Sequence, residues 1–367
     1  MSTIILVEEE RDERRVSLLS HVSCGKSTLK DTLLLGNDIV SARHPGILQY
    51  KKIHSDEDET FEFRSVGASL LLPSSRINNS KLISLFEYTG NVDFSPVLMS
   101  SLRVADGAII LVDCIEGVGS QTEVILREAL SKRVRPILMI NKIDRALLEL
   151  QLNGEDIYRC VVSIVAEVNR IIDSAPIHGF DWKIDPLNGT VIFGSGLHKW
   201  GFTLRHFATI YSKKFPISEQ ELLKKLWGDG FVSLVMAPIM TMIHAVMNNQ
   251  MNERSGLPLA VHLAKSVGVE IPPEIFQTVT GKHLLLFILQ RWLPLHEILL
   301  QMIIEHLPSP AVAGDYRSER FQGPIIASSS SSSSSSEGLA WLLAETARRS
   351  AEERTRRTIV EESDERR

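Results

Sequence analysis

Cysteine is scarce in this 367-residue chain: there are 3, Cys24, Cys114 and Cys160. They are scattered, odd in number and without C-x-x-C spacing. That argues against a disulfide framework or a zinc site and fits a reducing compartment. A dominant charge of one sign is missing too. The formal net charge of -5 leaves no general nucleic-acid footprint, so DNA is not an expected partner. Long apolar runs are lacking: stretches such as Leu284 to Leu289 are far too short to cross a bilayer. Met1 to Val7 is apolar but runs straight into Glu8-Glu9-Glu10, with no basic n-region and no small-residue cleavage site. Together these gaps predict a soluble, cytoplasmic protein without a membrane partner, and a monomer is expected.

What is present is organised around Leu138-Met139-Ile140-Asn141-Lys142-Ile143-Asp144. The apolar run reads as a buried parallel strand, and ligands dock at the carboxyl ends of such strands. An aspartate carboxylate accepts two hydrogen bonds side by side. Guanine offers two such donors on its N1–H and N2 amino edge, and adenine does not. Asn141 and the stem of Lys142 would shape the walls around a base. The plain alternative is a surface turn after a strand.

A second stretch lies upstream. The strand candidate Val16 to Leu19 leads into Ser20-His21-Val22-Ser23-Cys24-Gly25-Lys26-Ser27-Thr28, then a helical segment, Leu29 to Leu35. Strand, Gly-Lys-Ser, helix is the context of a phosphate-binding loop. Backbone N–H groups at the helix start would face a β-phosphate. Lys26 would neutralise β- and γ-phosphate charge, and the Ser27 hydroxyl would ligate Mg2+. Ser20 occupies the position where the full pattern has glycine.

Further strands are read at Ser65 to Leu72, Leu82 to Phe86, Ala108 to Val112 and Thr190 to Phe193. Helical spacing covers Gln121 to Lys132, Ala146 to Leu152 and Val161 to Ile172. The alternation predicts an α/β fold, a doubly wound and mostly parallel sheet of the P-loop type. Beyond Trp200 helices dominate: Leu204 to Phe215, Glu219 to Trp227, Val235 to Met247 and Leu284 to Ile304. Ser328 to Ser336 is unbroken serine, which cannot form a core.

Several long stretches carry a resemblance. NKIDRALLELQL from Asn141, VIFGSGLHKWGFTL from Val191, LRVADGAIILVDCIEG from Leu102 and RWLPLHEILLQMIIEHLPSP from Arg291 are collinear. They resemble the GTPase portion of eukaryotic and archaeal translation elongation factor 2. The resemblance implies a GTP- and GDP-binding protein with Mg2+. It implies guanine contacts from Asn141, Lys142 and Asp144, with Ser195, Gly196 and Leu197 as backbone support. It implies phosphate contacts from His21, Gly25, Lys26, Ser27, Thr28 and Gly90. It also implies a division of the chain: a disordered lead at 1–15, a GTPase domain at 16–200 and an inserted, mainly helical α+β subdomain at 201–293. A returning helix at 294–310, a linker with polyserine at 311–336 and a charged tail at 337–367 follow. The ribosome, through its stalk proteins, is the implied partner.

The departures are specific. The family's Asp-Ser-Pro-Gly-His reads Glu87-Tyr88-Thr89-Gly90-Asn91 here. Glu87 adds a methylene to a contact that reaches Mg2+ indirectly. Asn91 replaces the histidine that positions the attacking water, and catalysis of phosphoryl transfer is mostly positioning. Phe61-Glu62-Phe63 stands where the first switch offers a threonine. Ser23 and Cys24 replace an aspartate and a histidine. Cys24 reads as a redox sensor beside the phosphates or as a neutral replacement. Weak hydrolysis is therefore expected, and no translocation by this chain alone. Two other readings stay open: a stalk-binding module without catalysis, and a decayed copy without function.

Overall fold

The computed structural model describes residues 13–36, 67–72, 81–87, 95–175, 180–212, 218–248, 258–272, 275 and 279–318. They belong to one compact unit. Seven strands form one sheet: β1 (Glu13–Ser20), β2 (Gly67–Leu72), β3 (Lys81–Glu87), β4 (Gly107–Asp113), β5 (Arg135–Asn141), β6 (Val191–Ser195) and β7 (Trp200–Phe202). Their spatial order is β2-β3-β1-β4-β5-β6-β7. The five central strands are parallel, and β2 and β7 close the edges antiparallel. The expected doubly wound α/β sheet is therefore present. The chain crosses from one side of β1 to the other between β3 and β4. The loop after β1 thus opens at a topological switch point, where such sheets bind ligands.

Apolar residues lie on both faces of β4, β5 and β6 because both faces are covered. Every residue of β4 and β6 is buried. Successive side chains point to opposite faces, and the core divides accordingly. Val16, Leu18, Ile109, Leu111, Ile137, Met139 and Ile192 pack under α1 (Lys26–Gly36) and a late helix, Leu295–His306. Leu19, Ala108, Ile110, Val112, Leu138 and Ile140 face the larger cluster. That face is covered by α2 (Ser95–Val104), α3 (Ser120–Ser131) and α4 (Gly154–Ser174). Asn153 caps α4 by accepting from the Asp156 N–H at 2.8 Å, and Ile157, Val161, Ile164 and Val168 form its buried stripe.

After β7 come α5 (Leu204–Ser212), α6 (Glu219–Trp227), a π-helical segment Phe231–Met236, α7 (Ala237–Met247), α8 (Leu259–Ser266) and α9 (Lys282–Trp292). Their apolar faces join the larger cluster through an aromatic knot of Tyr158, Phe193, Trp227 and Phe231. The helical pattern read across Leu284 to Ile304 is two helices. Pro294 has no N–H to continue the first, and α10 (Leu295–His306) restarts there, tied to the sheet by Gly201 N–H donating to the Leu293 carbonyl at 3.0 Å.

Four other local readings are corrected. β1 begins at Glu13, inside the stretch read as a lead, because Glu13 and Arg14 pair with Leu82 and Ile83. Ala146 to Leu152 becomes a π-helical turn at Arg145–Glu149. Helices α2 and α8 have no counterpart in the periodicity. The stretch read as linker from 311 begins as a helix, α11 (Pro310–Ser318). The Arg317 guanidinium of α11 donates to Asp106 at 3.1 Å and to the Ala105 carbonyl. Polyserine and the tail lie outside the described residues, as does Phe61-Glu62-Phe63.

Candidate functional site

The site is built at the carboxyl ends of β1, β3, β4, β5 and β6. Between β1 and α1 the chain turns with Ser23 at φ 67 and Gly25 at φ 94. The left-handed turn at Gly25 is what glycine permits. Space demands it as well: a Cβ at Gly25 would lie 2.8 Å from Asn141 Nδ2. Lys26 and Ser27 open α1, with Thr28 in its first turn. The buried Lys26 ammonium donates to the Ser20 carbonyl at 2.9 Å and reaches the His21 carbonyl at 3.5 Å. It is thereby folded back across the loop. Burial pulls Lys26 down to about 8, against the opposing charges of Cys24 and Glu87.

Asn141 holds three loops together. Its Nδ2 donates to the Cys24 carbonyl at 2.8 Å, and its Oδ1 accepts from the Gly196 N–H at 2.8 Å. Thr32 of α1 donates to the Gly196 carbonyl at 2.8 Å. Both polar ends of Asn141 are spent on backbone, so this side chain joins the phosphate loop to the loop after β6. The sequence reading assigned residues of these three loops to one ligand, and in the structure the loops are joined to one another.

Asp144 sits in the turn after β5, 7 % exposed. Its Oδ2 lies 3.1 Å from Nδ1 of the buried His198. Its Oδ1 is buried and has no hydrogen-bond partner among the described residues. Burial would raise this carboxyl, but hydrogen bonds from His198 and Ser195 outweigh it and hold the group below the usual value of 3.8. Ser195 also accepts from the His198 N–H at 3.0 Å. Leu197 stands out from the same loop, 67 % exposed. A carboxylate with one oxygen beside His198 and the other buried without a hydrogen-bond partner among the described residues has acceptor capacity left for a ligand carrying adjacent N–H donors.

Lys142, at φ 63, turns away from Asp144. Its ammonium is 2.8 Å from Oδ2 of Asp113, a carboxylate with no exposed surface. The other Asp113 oxygen accepts from the Ile115 N–H at 2.8 Å. The ion pair places the Lys142 ammonium beside Asp113.

The expected metal pair is also in contact. Ser27 donates to Glu87 Oε1 at 2.7 Å. The other oxygen, Oε2, carries the ammonium of Lys30, a lysine 2 % exposed. The carboxylate charge is thus already matched by a fixed cation, and this donor set does not fit a divalent ion. Gly90 and Asn91 lie outside the described residues.

The structure adds Lys30, Thr32, Asp113 and His198, which the sequence reading did not single out. Lys30 had one signal, a lysine next to Leu29 and three residues before Leu33 in α1. As for Cys24, it is buried and burial raises its thiol, which disfavours the reactive thiolate. Residues 11–309 match the family model described as the elongation factor Tu GTP binding domain.

Proposed function

We propose, for a chain that belongs to the elongation factor Tu GTP-binding domain family, a GTP- and GDP-binding protein of the elongation factor 2 type. Family membership supplies guanine nucleotides as ligands, and members generally act on ribosomes. The observation that carries the guanine reading is the buried Asp144 Oδ1, which has no hydrogen-bond partner among the described residues. Its partner oxygen and its loop are locked by His198 and Ser195. In this reading guanine N1–H and N2 amino groups bond Asp144, Leu197 and the Lys142 stem flank the base, and the phosphates lie on the loop from His21 to Thr28. Residues 16–200 with the helix at 294–310 act as the GTPase portion, and 201–293 as an insertion that rests on it.

Hydrolysis is weak, because Asn91 stands where the family positions water with histidine. The insertion is the surface for the ribosomal stalk, and the chain does not translocate by itself. Titration calorimetry with GDP and with ADP tests the core of this reading. GDP binding at about micromolar Kd or tighter, without an ADP signal, is expected. Equal binding of both, or of neither, overturns it. Turnover with ribosomes at a family-like rate overturns weak hydrolysis alone. A pull-down with stalk protein that gives no enrichment over beads overturns the docking surface.

A further inference from the structure

We propose that the buried Lys30 ammonium takes over the charge-neutralising role of a divalent cation, so that this protein holds a guanosine triphosphate without Mg2+. The inference rests on the guanine-nucleotide reading above and concerns the phosphate end of the same site.

A phosphate-binding loop that places a carboxylate beside the β- and γ-phosphates brings like charges together. A divalent ion between them removes the repulsion. It keeps several of its waters, and those waters need acceptors. Glu87 is the carboxylate at that position, at the end of β3 and next to β1. Both of its oxygens are committed, Oε1 to the Ser27 hydroxyl and Oε2 to Lys30. The Ser27 bond is neutral in this respect, since the hydroxyl oxygen retains lone pairs toward a ligand. Lys30 is the deciding element. It cancels the Glu87 charge and takes up part of the acceptor capacity that a metal-bound water would use.

Lys30 is also held in place. Ser27 and Lys30 are three residues apart on α1 and so share a face. The side chain is enclosed, 2 % exposed, and Leu29 and Leu33 of the same helix are fully buried. Among the described residues, Asp31 of α1 and Glu87 of β3 are the charged groups that act with it, and Lys26 of the loop acts on the same Glu87. An added dication would meet two lysines. A triphosphate without one meets the same two lysines and a carboxylate already neutralised.

The test is calorimetry of the full chain with the imido analogue of GTP, in Mg2+ and in EDTA, with GDP titrated in parallel. The triphosphate Kd should agree within about threefold between the two buffers. A loss of more than about tenfold in EDTA, while GDP still binds, overturns the role of Lys30 and leaves the guanine reading intact. No GDP binding in either buffer overturns both. Lys30→Met and Lys30→Thr remove the cation. In variants that keep a cooperative thermal transition, triphosphate affinity should become Mg2+-dependent by about tenfold or more. An unchanged ratio in such a variant overturns the proposal. The wild-type comparison stands without the variants.

Discussion

Asn141 Nδ2 donates to the Cys24 carbonyl at 2.8 Å, joining residues 117 positions apart in the chain. With the bond from Gly196 N–H to Oδ1, it makes one rigid frame of the loops after β1, β5 and β6. Base pocket and phosphate loop are therefore coupled through this amide, together with the Thr32 bond to the Gly196 carbonyl.

Asn141→Ala removes both bonds and leaves two buried backbone groups unpaired, each at about 1–3 kcal/mol. The variant should unfold at lower denaturant with an unchanged slope, and GDP binding should fall below detection. A variant with wild-type stability would show that the tether carries no load.

Asp144→Asn exchanges an acceptor pair for one acceptor and one donor. The amide can bond the 2-oxo group of xanthine where the carboxylate bonded the guanine amino group. Affinity should shift from GDP to xanthosine diphosphate, read as the ratio of the two Kd values. The wild-type carboxyl is held below 3.8 by His198 and Ser195. Its folded pKa is thus depressed, and the stability it contributes is present above pH 4 and lost as pH falls through the lower folded value. His198→Ala should move that acid loss to higher pH in a pH-dependent melt.

Lys26 gives two opposite pH effects. Its folded pKa is about 8, against an ordinary 10.5. Between those values the unfolded chain binds the extra proton, so the contribution of Lys26 to stability rises with pH. Phosphate binding needs the protonated form, so nucleotide affinity should fall by up to about tenfold per pH unit above 8. Calorimetry and thermal melts across pH 7 to 9 should diverge in sign. Parallel trends would refute this account of Lys26.

Arg317 reaches from α11 to Asp106, which is 5 % exposed and raised by burial, with Arg317 as the strongest opposing charge. Arg317→Ala should destabilise by about 2 kcal/mol, reduced from a fully buried pair by the partial exposure of the guanidinium. It should raise Asp106 further. A raised carboxyl favours the folded state as pH falls, so the deficit should narrow in acid. Urea unfolding at neutral and mildly acidic pH measures both.

What the sequence by itself determined lies in short, contiguous stretches. Gly25-Lys26-Ser27 carries its own turn and helix start, and Asn141 through Asp144 carries a strand end with its carboxylate. Alternating apolar strands and helices sufficed for a doubly wound sheet, since a parallel strand buried on both faces has no other composition. Local chemistry of this kind needs no knowledge of neighbours. Only the tertiary structure decided the pairs: Lys30 with Glu87, Lys142 with Asp113, His198 with Asp144, Arg317 with Asp106. Each joins groups on different elements, brought together by the strand order and the crossover at β1. The physical reason is that burying a charge is costly without a partner. A lysine in α1 does not by itself name its partner, and the register of β1 on β3 decides that it is Glu87.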